Sequence, residues 1–281
     1  MGGLQVGLYA RVFPRATVEE TLDAVVAAGV AAVQFGLDCA GLEAVPAAIP
    51  AEMPGRIRAA HEARGVRLAA VSGTVNMIHP DPEARSESLR RLEALIRSCP
   101  AMGAPAVTLC TGTRDPTSMW RHHPANASPE AWRDLLAALS AVLPAAEAAG
   151  VDLAMEPEVA NVVDSAARAR RLMDELASPR LRVCIDGANL FHRGELARQA
   201  EVLDAAFDLV GPDVVLAHAK DLDHDGEAGH LPAGRGRLDY GRYVRLLRRV
   251  GYRGAVVLHG LAEADVPACA AFLRGHLGSA G

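Results

Sequence analysis

Eight short apolar runs alternate with helix-period segments from one end of this chain to the other. The runs are Gln5–Ala10, Ala32–Gly36, Arg67–Ser72, Ala106–Cys110, Asp152–Glu156, Arg182–Asp186, Val214–His218 and Ala255–His259. Short apolar runs bounded by turn residues read as buried strands, and the longer stretches between them read as amphipathic helices. The clearest helix stretch carries Trp132, Leu135, Leu136, Leu139, Val142 and Leu143 on one face, with Pro144 expected to kink or end it early. Thr17-Val18-Glu19-Glu20 is a capping box, and Asp81-Pro82 and Ser128-Pro129 pair an N-cap with a first-turn proline. Gly29, Gly65 and Gly150 read as helix-ending glycines, each leading into a strand.

Eight unbroken βα units predict a parallel sheet, and eight is the number that closes a barrel. The 281 residues suit one such barrel, which takes roughly 250. The expected fold is therefore α/β, a single (β/α)8 barrel of the TIM type spanning residues 1–281. The rival, an open doubly wound sheet, lacks its signature: Gly7-Leu8-Tyr9 continues as Ala10-Arg11 with no Gly-rich phosphate turn. Aromatic residues make up 4% of the chain, so Ala, Val and Leu must fill the core.

Charge and composition narrow the function. A net charge of −5 argues against a nucleic-acid partner. No stretch approaches the roughly 20 apolar residues of a membrane span. The residues from Met1 to Gln5 lack the pattern of a signal peptide. Five cysteines without a CxxC pair fit small core residues in a reducing cytoplasm. A homodimer or homotetramer is the expected assembly.

Four of the strand ends carry the chemistry. Glu156, Asp186, His218 and His259 stand where the fifth to eighth strands run out, 30, 32 and 41 residues apart. In a barrel of this type such positions converge on one mouth. Two carboxylates with two imidazoles suit Mn²⁺, Fe²⁺, Co²⁺, Ni²⁺ or Zn²⁺ better than Mg²⁺ or Ca²⁺, which prefer all-oxygen shells. Manganese is the first expectation. Glu156 and Glu158 are both candidates for a general base, since 154, 156 and 158 share a strand face. Lys220 is a candidate acid or oxyanion partner. Asp221 would orient Lys220, bind a substrate hydroxyl, or form a plain ion pair with Lys220. The irregular stretch Thr111–Ala127, with Arg114, Trp120, His122 and His123, reads as an active-site loop. Arg235 and Arg237 sit among glycines, as a phosphate site or as a solvated turn, the plainer reading.

These strings resemble the xylose isomerase-like superfamily of sugar isomerases and epimerases, single β/α barrels. The likeness covers nearly the whole chain. Glu156, Asp186 and His218-Ala219-Lys220-Asp221 match the Glu, Asp and His-x-Lys-Asp that the family places after strands five, six and seven. Ser72-Gly73-Thr74-Val75-Asn76 and Gly234-Arg235-Gly236-Arg237-Leu238-Asp239 are further likenesses. The resemblance implies a carbohydrate-like small-molecule substrate, a divalent metal on Glu156, Asp186 and His218, with His259 joining them by its strand-end position, and substrate contacts from Asn76, Arg114, Asn189, Asp221 and His224. Asn189 falls where related epimerases carry a substrate-contacting His. His259 departs from the pattern, because the family has a Glu there that acts as one of two opposed acid/base groups.

The implied activity is metal-dependent isomerisation or epimerisation of a sugar or keto-polyol through an enediolate. The alternative is a lyase or dehydratase acting on a keto-sugar or keto-glycoside, resembling inosose dehydratases, for which one base and one acid suffice. An apurinic endonuclease, from a sister branch, would need more His and acidic ligands than these. A non-catalytic barrel would not need the four donors.

Overall fold

The computed structural model describes residues 3–278. Met1, Gly2 and the last three residues of the predicted domain lie outside them, as does part of the N-terminal stretch read for a signal peptide. Eight parallel strands close on themselves among the described residues: β1 (Gln5–Tyr9), β2 (Ala32–Phe35), β3 (Arg67–Ser72), β4 (Ala106–Cys110), β5 (Asp152–Glu156), β6 (Leu181–Asp186), β7 (Val214–Asp221) and β9 (Ala255–Leu258). Closure runs through β1–β9, β9–β7 and β7–β6 pairing. This is the (β/α)8 barrel expected from the sequence.

Helices cover the outside: α1 (Val18–Ala27), α2 (Met53–Arg64), α3 (Pro82–Met102), α4 (Pro129–Ala149), α5 (Ala166–Leu176), α6 (Gln199–Val210), α7 (Tyr240–Arg249) and α8 (Val266–Gly278). None is long and apolar enough to cross a membrane, among the described residues. Their starts follow the sequence signals. Thr17, Asp81 and Ser128 accept backbone N–H groups at the heads of α1, α3 and α4. Gly65 and Gly150 end α2 and α4 at φ of 62° and 69°, a region closed to most side chains.

Three expectations are corrected. Helix α4 runs through Pro144 to Ala149. The proline sits on the exposed face, as does Ser140 one turn before it, while Leu139, Val142, Leu143 and Ala146 stay buried. Strand β7 extends three residues past His218, because a two-residue strand, β8 (Leu231–Pro232), folds back antiparallel on Lys220 and Asp221. Strand β9 stops at Leu258, one residue short of His259.

Period-two alternation sorts the barrel into layers. One face of each strand packs outward on the helices in the main core, as with Val33, Val107, Leu153, Val183 and Val256. The other face fills the lumen with small side chains: Ala32, Ala70, Ala106, Ala154, Cys184, Leu216, Ala255 and Val257. On β1 the inward position is Gly7, where a Cβ would come within 2.8 Å of the Ala255 Cβ. Two residues further along the same inward rows stand Gln34, Ser72, Thr108, Glu156, Asp186, His218 and His259. An apolar floor thus carries a polar ring at the C-terminal mouth.

Candidate active site in the barrel mouth

Strand register sets the ring. Asp186 lies directly beside His218 across β6 and β7, and Cys110 beside Glu156 across β4 and β5. Glu156, Asp186, His218 and His259 each bring one donor atom within 4.8 Å of the others. The His218 and His259 rings are 4.3 Å apart. His218 Nδ1 faces Glu156 Oε1 at 3.3 Å, and His259 Nε2 faces Asp186 Oδ2 at 3.2 Å. This is a candidate metal-binding cluster.

The supporting contacts fit that role. The Gln34 side-chain oxygen faces His218 Nε2 at 2.7 Å, and the Gln34 amide nitrogen donates to Thr108. An amide oxygen accepts only, so His218 Nε2–H donates to Gln34 and Nδ1 is left facing the Glu156 carboxylate. Metal-bound histidines have this wiring, one nitrogen on the ion and the other donating to a fixed acceptor. Asn189, fully buried, donates its amide to Glu156 Oε1 at 2.7 Å and accepts the Gly229 N–H at 2.9 Å.

Electrostatics divides the titratable groups. Burial acts to raise the Asp186 carboxyl, but Lys220 and His259 outweigh it and hold Asp186 well below the usual carboxylate range. Burial likewise opposes Glu156, and His218 and Lys220 bring it below its ordinary value. Lys220 is raised: burial works against its charge, but Asp186, Glu156 and Glu158 prevail. Its Nζ stands 3.5 Å from Asp186. Burial, with Glu156 close by, pushes Glu158 up to about 7. His259 is pushed down to about 4 by burial and by the neighbouring His218 and Lys220. At neutral pH it is an uncharged imidazole. Glu158 has no ion pair among those of the described residues, and its backbone is pinned by Val163 and Asn161 at 3.0 and 2.8 Å.

Beside the ring opens a cavity of about 610 Å³, bordered by Tyr9, Arg11, Thr74, Trp120, His259 and Leu261 among others. Trp120, 59% exposed, comes from the loop after β4. That loop was singled out in the sequence, and it reaches the mouth through Trp120.

Four of the predicted substrate contacts are committed elsewhere. Asn76 ties two loops together, accepting the Ile78 and Thr113 N–H groups and donating to the Thr113 carbonyl. Arg114 turns toward the Asp134 carboxylate of α4 and the Ile78 carbonyl. Asp221 does not pair with Lys220, because adjacent strand residues point to opposite faces. It accepts N–H groups from Leu222, Gly234 and Leu238, and so folds the loop before α7. His224 lies exposed, its ring between Asp223 and Glu227. Asn189 reaches the ring through Glu156. Arg235 and Arg237 are exposed, as in the solvated-turn reading. Gln34 was missed by the sequence reading. Its signal was a lone amide two residues beyond Ala32 on the inward row of β2.

Fold and site together define a β/α barrel with a metal-capable polar ring at its C-terminal mouth. The profile of the xylose isomerase-like TIM barrel family matches residues 22–274, and the chain belongs to that family. No curated protein matches it significantly by sequence. Among solved structures it is similar to 3-keto-D-glucoside 4-epimerase from E. coli, at 18% identity and a TM-score of 0.74, covering 98% of this chain and 100% of that one. It is similar to D-psicose 3-epimerase from Clostridium cellulolyticum H10, at 16% identity and a TM-score of 0.71, covering 97% and 99%. A xylose isomerase domain protein from Planctomyces limnophilus gives 18% identity and a TM-score of 0.75, covering 98% and 97%. At these identities the likeness establishes the fold.

Proposed function

We propose that this chain is a divalent-metal-dependent isomerase or epimerase of a sugar or keto-polyol. The observation that carries this reading is the convergence of Glu156, Asp186, His218 and His259 within 4.8 Å at the mouth, with Glu158 and Lys220 alongside. Those four side chains would hold the ion, manganese in the first instance, with zinc, cobalt, iron or nickel accepted by the same donors. A bound ion supplies Lewis-acid polarisation of a carbonyl and its neighbouring hydroxyl. Glu158 removes the proton from the adjacent carbon, because Glu156 is committed to His218 and Asn189. Lys220 stabilises the negative charge that develops on the enediolate oxygen or returns a proton. Its charge is already balanced by Asp186, so it is held in place rather than swinging free. Five free, buried cysteines support a cytoplasmic setting.

A second reading is favoured by one observation. His259 is neutral and turned to Asp186, where an opposed carboxylate would serve a two-base epimerase. A lyase or dehydratase on a keto-sugar or keto-glycoside needs one base, Glu158, and one acid, Lys220.

One experiment addresses both readings. Manganese-loaded protein is incubated with ketoses and keto-glycosides in deuterated water and followed by proton NMR. Deuterium appearing at the carbon beside the carbonyl supports enediolate chemistry. Stereoisomeric products favour the epimerase, and loss of water or an alcohol favours the lyase. Glu158→Gln should cut exchange at least ~100-fold, within the range a general base contributes, while metal content stays unchanged. A Glu158→Gln variant that exchanges at the wild-type rate would remove Glu158 as the base. Failure of the purified protein to bind any divalent transition metal would overturn the metalloenzyme reading.

A further inference from the structure

The loop joining β7 to β8 holds a second group of metal-capable side chains, exposed and separate from the ring in the mouth. Asp223 Oδ1 lies 2.5 Å from His224 Nδ1 and 2.8 Å from His230 Nε2. Glu227 Oε1 lies 2.8 Å from His224 Nε2 and 3.5 Å from His230 Nδ1. The two imidazoles are 4.2 Å apart with their planes 36° off parallel. One donor atom from each of Asp223, His224 and His230 falls within 4.8 Å of the others.

The loop backbone is fixed independently of these side chains. Gly226 donates to the Phe191 carbonyl at 3.0 Å, His230 to the Asp221 carbonyl at 3.1 Å and Gly229 to Asn189 at 2.9 Å. The Asp225 carboxylate accepts the Leu196 N–H at 2.8 Å. Three side chains therefore converge from a backbone already held, which is what pre-organises a ligand shell. Exposed ion pairs contribute little to stability, so pairing alone gives little reason for two carboxylates to flank two adjacent, tilted imidazoles. A tetrahedral shell with bonds of about 2.0–2.2 Å sets neighbouring donors about 3.3–3.6 Å apart. The Asp223 contacts, 2.5 Å to His224 Nδ1 and 2.8 Å to His230 Nε2, need to open by about 1 Å to accept an ion.

We propose that Asp223, His224 and His230 form a second divalent transition-metal site on the β7–β8 loop, with Glu227 accepting from His224 Nε2 on the side of the ring away from the ion. Two imidazoles with a carboxylate select Zn²⁺, Ni²⁺ or Cu²⁺ over Mg²⁺ and Ca²⁺. Its place in the fold gives it a consequence. The loop that carries it presents the Gly229 N–H to Asn189, and Asn189 holds Glu156 at 2.7 Å. A seated ion staples the hairpin and steadies the segment that orients one donor of the mouth. The site does not depend on any reaction assigned to the mouth.

The test is Zn²⁺ binding by the full chain at pH 7.5, read by titration calorimetry and by metal content after gel filtration. The His224→Ala/His230→Ala double variant should lose one equivalent relative to wild type. Asp223→Asn, which keeps both imidazoles, should bind that equivalent at least tenfold more weakly. Asp186→Ala, which disables the mouth, should retain it, so the two sites are told apart whether or not the mouth takes zinc. His122→Ala/His123→Ala controls for adventitious histidine binding and should leave the isotherm unchanged. A His224→Ala/His230→Ala protein whose zinc stoichiometry and affinity match wild type within twofold would overturn the site. So would an equivalent that disappears with His122 and His123.

Discussion

Gln34 and His218, far apart in sequence, meet in the barrel mouth at 2.7 Å, side-chain oxygen to Nε2. The contact decides which imidazole nitrogen is free. Gln34→Leu removes the acceptor and lets the ring choose its tautomer. The expected result is a loss of about 10–100-fold in Mn²⁺ affinity, the range seen when a ligand's supporting partner is removed. Equilibrium dialysis of the two proteins checks it, with circular dichroism confirming that the fold is kept. Equal affinities would show that Gln34 does not set the free nitrogen.

Lys220 and Asp186 form a buried pair 3.5 Å apart, the carboxylate fully out of solvent. Breaking such a pair from one side strands a charge and costs about 3–5 kcal/mol. Asp186→Ala in metal-free protein should show a loss of this order in urea unfolding. Adding Lys220→Met should restore most of it, since the stranded ammonium is then gone. A double variant no more stable than Asp186→Ala would mean the loss has another source.

His61 supplies a pH-dependent term far from the mouth. It packs edge-on against Phe35, donates Nδ1–H to the Val66 carbonyl at 2.9 Å, and buries Nε2 with no partner. Burial pushes its pKa down, with the Arg64 charge adding to the shift. The unfolded chain, with an ordinary pKa of about 6.5, therefore binds this proton more readily than the folded one. His61's contribution is fully present above pH 6.5 and is lost as pH falls toward the depressed folded value. Urea midpoints between pH 7.5 and 5 should fall less steeply for His61→Phe than for wild type. Parallel slopes would rule His61 out as a source of acid sensitivity.

Ala177 ends α5 at φ 48°, the single non-glycine residue with positive φ among those described. Ala177→Gly relieves that conformation at the cost of a more flexible unfolded chain. Because the strained term is the larger, a rise in stability of up to about 1 kcal/mol is expected, read as a higher Tm.

Much of this was legible in the sequence because each part depends on local pattern. The strand cores at Arg67–Ser72, Ala106–Cys110 and Asp152–Glu156 match to the residue, since apolar runs between turn residues leave few alternatives. The four strand-end donors were legible because parallel register brings like positions together. What escaped was set by neighbours in space. Asp221 sits next to Lys220 in the chain, which suggests a pair, but strand alternation sends the two to opposite sides. Arg114 looked free in a loop until α4 brought Asp134 to it. Gln34 was hidden in a four-residue strand whose partner, His218, lies most of the chain away. Pro144 kept its helix because it fell on the solvent side, which depends on how α4 docks.

The lumen floor of Gly7, Ala32, Ala70, Ala106, Ala154 and Ala255 has a consequence for traffic. It fills the barrel beneath the polar ring, and the cavity beside the ring opens past Tyr9, Trp120 and His259. A small molecule filling that cavity would cover His259 and would slow the exchange of an ion held by the four donors.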